Sequence, residues 1–195
     1  LAEDGRRVAI IDQTRLPHEL RVVTLASLED TARAIRDMLV RGAPLIGATA
    51  AYGVCLGLQA GAGDRDLERI CATLVACRPT AVNLRWAVDR MRAVLLPFPP
   101  AQRPAAAYRE AAAICDSDVA VNEAIGSHGL RLIEEIRRKK GGREPVRILT
   151  HCNAGWLATV DWGTALAPVY KAHGAGIPLL VWVDETRPRS QGASL

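Results

Sequence analysis

A strand–loop–helix–strand pattern in the C-terminal part of the chain restricts the fold more than any other feature. Residues 146–149 predict a short buried strand, and residues 177–183 predict a second strand that is almost wholly apolar. Residues 156–173 between them predict a helix that ends at two nearby glycines. Strands joined in this way are parallel, with a right-handed crossover. Residues 144–195 are therefore predicted to begin a Rossmann-like domain that is incomplete in this sequence.

Residues 1–143 are predicted to form a mostly helical N-terminal domain. Short strands predicted at 8–11 and 20–25 would form a small β-hairpin. Five further segments predict helices, at about 28–41, 45–58, 67–76, 82–95 and 105–140. We expect a break in the last of these helices near Asp116. The predicted fold class is accordingly α/β, with the helical domain first and the parallel sheet second.

The composition excludes several classes of protein. An apolar fraction of 49% among 195 residues predicts a sizeable core, and a net charge of +4 suits an anionic small molecule without requiring one. Aromatic residues make up only 4%, which argues against a surface that stacks single-stranded nucleic acid. The five cysteines include no Cys-x-x-Cys pair, so free thiols in a reducing cytoplasm are expected. No apolar run is long enough to cross a membrane.

The candidate site lies where the two predicted parallel strands end, because ligands bind at the carboxyl ends of such strands. Residues 150–155, Thr-His-Cys-Asn-Ala-Gly, follow the first strand, and residues 184–193 follow the second. Cys152 is the candidate reactive thiol, because the turn around it is predicted to start a helix and helix N-termini lower thiol pKa values. His151 fits a base and a structural hydrogen-bonding group equally well. The acidic residues of the second loop have no further ligands at suitable spacing, so no metal site is expected.

Two arginine-bearing segments at predicted helix starts are candidates for anion binding. Residues 41–44, Arg-Gly-Ala-Pro, lie in a break between helices, where glycine and alanine let the backbone approach a ligand closely. The next helix supplies free N–H groups that suit phosphate. Residues 78–83, Arg-Pro-Thr-Ala-Val-Asn, have the same arrangement. An ordinary helix–helix turn with a solvated arginine explains the first segment equally well.

Five motifs occur along the chain in an order that is more specific than any one of them. They are residues 12–17 (Asp-Gln-Thr-Arg-Leu-Pro), 41–47, 78–83, 150–155 and 184–193. Together they resemble the methylthioribose-1-phosphate isomerases of methionine salvage, and the resemblance covers the whole chain. It implies conversion of a cyclic aldose 1-phosphate into the open ketose 1-phosphate by a homodimer, without a metal or organic cofactor.

The resemblance also implies roles for particular residues. Cys152 matches the family's catalytic cysteine. Five residues match its substrate-binding positions, the arginines chiefly for the phosphate: Arg41, Gly42, Ala43, Arg78 and Gln191. The family's catalytic aspartate and a substrate-contacting Asn-Lys pair are expected beyond Leu195, so these 195 residues alone are expected to be inactive.

Alternative activities remain open within the resemblance. Trp156, Asp161 and Trp162 follow the cysteine where many relatives carry small residues, so 5-deoxyribose 1-phosphate is an alternative substrate. Ribose 1,5-bisphosphate, with a second phosphate, is another. Regulatory subunits of initiation factor 2B share the fold and bind rather than catalyse. The thiol-bearing loop together with the substrate-binding arginines favours the enzyme.

Overall fold

The computed structural model describes residues 1–187, 190 and 192–194, and the chain divides into two compact units, Leu1–Asp116 and Ser117–Leu195. The helices and strands within the described residues are β1 (Val8–Ile11), β2 (Val22–Leu25), α1 (Leu28–Arg36), α2 (Ala43–Leu58), α3 (Asp64–Cys77), α4 (Val82–Leu95), α5 (Arg103–Lys139), β3 (Val146–His151), α6 (Ala167–Gly174) and β4 (Leu179–Asp184). The predicted combination of many helices, a small hairpin and a parallel pair of strands is confirmed. No helix in the described part of the chain is long and apolar enough to cross a membrane.

The first unit begins with the hairpin and a capped helix. β1 and β2 pair antiparallel, and Val8 and Ile10 point from β1 into the core because side chains alternate along a strand. The side chain of Ser27 caps α1, since its Oγ accepts a hydrogen bond from the Asp30 amide at 3.0 Å. The polar N-cap thus determines where the chain leaves the hairpin and turns helical.

Helix α2 lies at the centre of the first unit and carries no charged residue. Its glycines let neighbouring helices pack very close. A Cβ atom on Gly53 would lie 2.7 Å from Cγ2 of Thr31 in α1, and one on Gly57 would lie 2.8 Å from Cγ1 of Ile70 in α3. The predicted helix, buried on nearly all sides, is confirmed.

Helix α1 is shorter than predicted. It ends at Arg36 rather than near Arg41, because Met38 takes a left-handed backbone conformation with φ of 62°. The amide of Val40 then donates to the carbonyl of Ala34 and closes the turn. Residues 37–40 therefore form a turn that connects α1 to the start of α2.

Helix α5 is longer than predicted, because the expected break near Asp116 does not occur. The helix is continuous over Arg103–Lys139. Asp116 and Ser117 are exposed, so these polar residues mark a solvated face of the helix and do not interrupt it. The division between the two compact units falls inside α5. The predicted domain boundary at 143/144 lies between α5 and β3, and it stays a prediction.

The second unit contains the parallel strands. β3 and β4 pair in register from Val146 with Leu179 to His151 with Asp184. Thr150 and His151, predicted as loop residues, are the last two residues of β3. Both strands end at the same edge, which places the segments that follow them side by side.

The prediction of a single helix over residues 156–173 is largely wrong. A short 3₁₀ helix covers Trp156–Ala158, irregular chain follows, and α6 spans only Ala167–Gly174. Left-handed backbone at Trp162 (φ 68°) and Gly163 (φ 76°) is incompatible with a continuous α-helix. The apolar residues of this segment therefore pack within an irregular loop and do not form one face of a helix.

Candidate active site

Cys152 lies immediately after β3, at the carboxyl end of the parallel pair. Its backbone is left-handed, with φ of 69°, so the chain turns sharply at this residue. Its side chain is exposed, whereas the other four cysteines are buried or half-buried. The expected helix N-terminus is not at this position, since α6 begins only at Ala167. Position and exposure, rather than a helix dipole, therefore make Cys152 the candidate thiol.

Residues 152–166, called the Cys152 loop below, fold back on themselves. The carbonyl of Ala154 accepts hydrogen bonds from the amides of Thr164 at 3.0 Å and Leu166 at 3.3 Å. The buried hydroxyl of Thr159 accepts from the Gly163 amide at 3.0 Å. These bonds tie the beginning of the loop to its end and hold the backbone that follows Cys152.

The loop crosses itself where Gly163 meets Gly155. A Cβ atom on Gly163 would lie 2.6 Å from the carbonyl carbon of Gly155, and the left-handed φ of Gly163 also disfavours a side chain. We expect Gly163→Ala to lower the free energy of unfolding by about 2–4 kcal/mol, from strain and overpacking together. Urea denaturation measures the change.

Gly174 is the matched control for this substitution. It lies in α6 and faces open space, so Gly174→Ala should change stability by less than about 1 kcal/mol. Equal stability of the Gly163 and Gly174 variants would contradict the close crossing.

A cavity of about 300 Å³ opens between the Cys152 loop and the segment that follows β4. Its lining combines apolar and polar side chains, as ligand sites commonly do. The apolar side chains are Ala154, Trp156, Leu157, Leu166 and Val183, and the polar ones are Cys152, Asn153, Tyr170, Asp184 and Thr186. A small molecule in this cavity would lie against apolar side chains as well as the residue that carries the thiol.

Several polar groups of the cavity are available to a ligand. The Nδ2 atom of Asn153 is buried without a hydrogen-bond partner. The Tyr170 hydroxyl lies close to Gly155, where a Cβ atom would come within 2.9 Å of it. His151 Nδ1 and Asp184 Oδ2 are 4.0 Å apart and both side chains are exposed, so this pair contributes little on its own.

Glu185 accepts several backbone hydrogen bonds from the segment after β4. Its carboxylate accepts hydrogen bonds from the amides of Thr186, Gly192 and Ala193, at 2.6, 2.8 and 2.9 Å. These bonds hold the pKa of Glu185 below its usual range. Glu185 therefore holds residues 186, 192 and 193 and is a poor candidate for an acid. Gln191, predicted to bind substrate, lies outside the described residues.

Arg41 is buried in the first unit, with only 8% of its surface exposed. One guanidinium nitrogen donates to the backbone carbonyl of Gln13 at 3.0 Å, and Nε is buried without a partner. No carboxylate among the described residues pairs with it, and burial lowers its pKa. A buried guanidinium with a free donor favours an anion from outside the protein.

The start of α2 lies beside Arg41 in the chain and adds to this anion-binding character. Gly42 takes φ of 100° as its N-cap, and no side chain caps the helix. The first-turn N–H groups, including that of Ala43, have no acceptor within the helix. A Cβ atom on Gly47 would lie 3.0 Å from the carbonyl oxygen of Asn83, so the first turns of α2 and α4 are in contact.

Arg78 lies at the end of α3, and its carbonyl accepts from the Ala81 amide at 3.0 Å in the turn that leads into α4. Its side chain is half-buried, and it forms no ion pair with any described carboxylate. The structure thus places both predicted phosphate-binding arginines in the first unit, near the starts of two helices that touch.

The sequence did not identify every residue of the site. Tyr170 of α6 lines the cavity, yet it follows no recognisable spacing rule, because the folding of the Cys152 loop brings it there. In the described part of the chain, no group of three or more His, Cys, Asp or Glu side chains is placed to hold a metal ion.

Comparison with known proteins adds to this geometry. The chain is 64% identical over 198 residues to a methylthioribose-1-phosphate isomerase of Rhodospirillum rubrum, covering 100% of this chain and 51% of that protein. A methylthioribose-1-phosphate isomerase of Paramagnetospirillum magneticum is 65% identical over 195 residues, covering 100% of this chain and 53% of that protein. The chain therefore spans about half the length of the curated relatives it matches.

Two solved structures share the fold. The 5-methylthioribose 1-phosphate isomerase of Pyrococcus horikoshii OT3 superposes with a TM-score of 0.82 at 38% identity, covering 97% of this chain and 53% of that one. The delta subunit of translation initiation factor eIF-2B from A. fulgidus superposes with a TM-score of 0.79 at 36% identity, covering 96% and 54%. Residues 39–195 match the model of the initiation factor 2 subunit family. The chain belongs to the initiation factor 2 subunit family.

Proposed function

We propose that the protein of which this chain is a part is an aldose–ketose isomerase. Its substrate is 5-methylthio-D-ribose 1-phosphate and its product is 5-methylthio-D-ribulose 1-phosphate. The observation that carries this proposal is the exposed Cys152 beside the cavity at the end of β3. The names of the relatives that are 64% and 65% identical over this chain supply the substrate.

The chemistry follows from the substrate. A phosphate on the anomeric oxygen prevents the ring from opening as a free sugar does. The bond between C1 and the ring oxygen must break, and the ring oxygen must take up a proton. Hydrogen then moves from C2 to C1, and the C2 hydroxyl loses its proton as it becomes a carbonyl. The reaction gains and loses no atoms or electrons, so acid–base groups suffice.

Cys152 is proposed as one of these acid–base groups. Its exposed side chain lines a cavity that also contains the Tyr170 hydroxyl and the Asp184 carboxylate. The second group is proposed to be an aspartate outside these 195 residues, as the resemblance implies. Asp184 is not assigned that role, because it belongs to a different motif.

The phosphate is proposed to bind Arg41, with Gly42, Ala43 and Arg78. Burial of Arg41 without a carboxylate supports this role, because a phosphate dianion would satisfy both its charge and its free Nε. The uncapped first turn of α2 adds N–H donors. Gln191 is proposed as a further substrate contact.

We also propose that the protein acts in methionine salvage, in the cytoplasm, as a homodimer. The second candidate function is isomerisation of 5-deoxyribose 1-phosphate, favoured by the half-exposed Trp156 in the cavity wall. The third is a non-catalytic regulatory subunit, supported by the similarity to the delta subunit from A. fulgidus.

Turnover by the purified full-length protein tests these proposals. We expect formation of the ketose from the methylthio substrate, followed by phosphorus NMR, with kcat/KM at least about tenfold above that for 5-deoxyribose 1-phosphate. A preference for the deoxy sugar would select the second candidate. Binding without turnover of either sugar would select the regulatory subunit. The 195-residue chain alone is expected to be inactive.

A further inference from the structure

Asp118 of α5 holds the Cys152 loop through a single hydrogen bond. The Val160 amide, in the middle of the loop, donates to Oδ2 of Asp118 at 2.9 Å. The two residues lie in the same compact unit, although 42 positions separate them in the chain. A long helix thus fixes the backbone of an irregular loop at one point.

The surroundings of the Asp118 carboxylate strengthen its hydrogen bond with the Val160 amide. The Asp118 side chain is half-buried, and burial raises its pKa, while the Val160 amide and the Asn122 side chain oppose the rise. It forms no ion pair with a described cation. A hydrogen bond from an amide to a carboxylate that is partly shielded from water is stronger than one between neutral groups.

Hydrogen bonds within the loop connect Val160 to the loop crossing near Cys152. Thr159 precedes Val160, is buried, and donates its hydroxyl to the Asp161 carbonyl at 2.9 Å while accepting from Gly163. Gly163 in turn lies against Gly155, at the loop crossing. Holding Val160 therefore restrains the crossing, which lies close to Cys152 in the chain.

We infer that Asp118 is a positioning residue, whose carboxylate holds the Cys152 loop at Val160 and so keeps the thiol in place beside the cavity. The catalytic consequence of this inference rests on the proposed function. Asp118 itself does not line the cavity, so it acts through the loop and not on the substrate.

Three variants of the full-length protein test the inference. Asp118→Ala removes the acceptor, and Asp118→Asn keeps one, because an amide oxygen can accept from Val160. Glu135→Ala is the matched control: Glu135 is a carboxylate on the same helix, and its ion-pair partner is Lys139 of that helix, at 2.7 Å.

The readouts are kcat and KM, hydrogen exchange of peptides covering 152–166, and the alkylation rate of Cys152 by iodoacetamide, followed by mass spectrometry. For Asp118→Ala we expect kcat to fall about tenfold or more with KM within about threefold. Loop exchange should rise and the Cys152 alkylation rate should change at least about threefold, since the thiolate environment sets that rate. Asp118→Asn and Glu135→Ala should stay within about twofold of wild type in each readout.

Several results would overturn the inference. They are unchanged loop exchange and alkylation in Asp118→Ala, equal effects of Asp118→Ala and Glu135→Ala, or no rescue by Asp118→Asn. The exchange and alkylation measurements do not depend on turnover. If the wild-type protein converts neither sugar, the proposed function fails, and these two measurements still decide whether Asp118 holds the loop.

Discussion

Replacing Cys152 with serine in the full-length protein is expected to lower kcat about 10³-fold, within the usual range for loss of an acid–base group. A hydroxyl is a far weaker acid than a thiol, so serine stays protonated at neutral pH and is a poor acid–base catalyst. The side chains are nearly equal in size and Cys152 is exposed, so substrate binding should change less than about threefold. Turnover is measured with the methylthio substrate, and binding by calorimetry.

Cys77 provides the control for this substitution. It is half-buried in the first unit, burial raises its pKa, and its thiol donates to the Thr73 carbonyl at 3.3 Å. A serine can make the same hydrogen bond, so Cys77→Ser should retain wild-type turnover. Near-normal turnover of Cys152→Ser would remove the thiol from the mechanism, and a loss in both variants would indicate unfolding.

Replacing Arg41 with methionine is expected to weaken binding of the sugar phosphate about 100-fold or more, since two or more charged hydrogen bonds would be lost. The Gln13 carbonyl would lose one donor, but methionine fills a similar volume without desolvating a charge that no described carboxylate offsets. The two effects oppose each other, so stability should stay within about 1 kcal/mol of wild type. Calorimetry with the substrate measures binding, and thermal unfolding measures stability.

Arg103 is the matched control, because it is also a buried arginine but is fully paired. It is 3% exposed, donates to the carbonyls of Ala62 and Phe98, and pairs with Asp64 at 2.6 Å. Arg103→Met should lower the free energy of unfolding by about 3 kcal/mol, because buried carbonyls would lose their donor. If Arg41→Met proved equally destabilising, Arg41 would be a structural residue and not a phosphate ligand.

Much of the fold was predictable because its signals are local. Helix α4 was predicted with its observed bounds at 82–95, and the apolar α2 was predicted within two residues at its start. The parallel strands were predicted from two apolar runs separated by a longer connection, and they pair as expected. Periodicity, capping residues and helix-breaking residues act within a few positions of the chain, so the sequence carries them directly.

The candidate site was predictable only in part. The order of the motifs singled out Cys152 and Arg41, and the structure shows the features that make each a candidate, an exposed thiol beside a cavity and a buried, unneutralised guanidinium. Their roles in catalysis and binding stay predictions. The physical argument for the thiol was wrong, since no α-helix begins beside it.

The sequence by itself determined most of the helices and strands, and it singled out Cys152 and Arg41 as candidates for the chemistry. Only the tertiary structure decided how residues 152–166 fold. Their apolar residues suit a helix, but the crossing of Gly163 over Gly155 and the bond from Val160 to Asp118 hold them in an irregular loop. The physical reason is that these contacts join residues farther apart than the four positions of a helical hydrogen bond, and together they outweigh a weak local preference for helix.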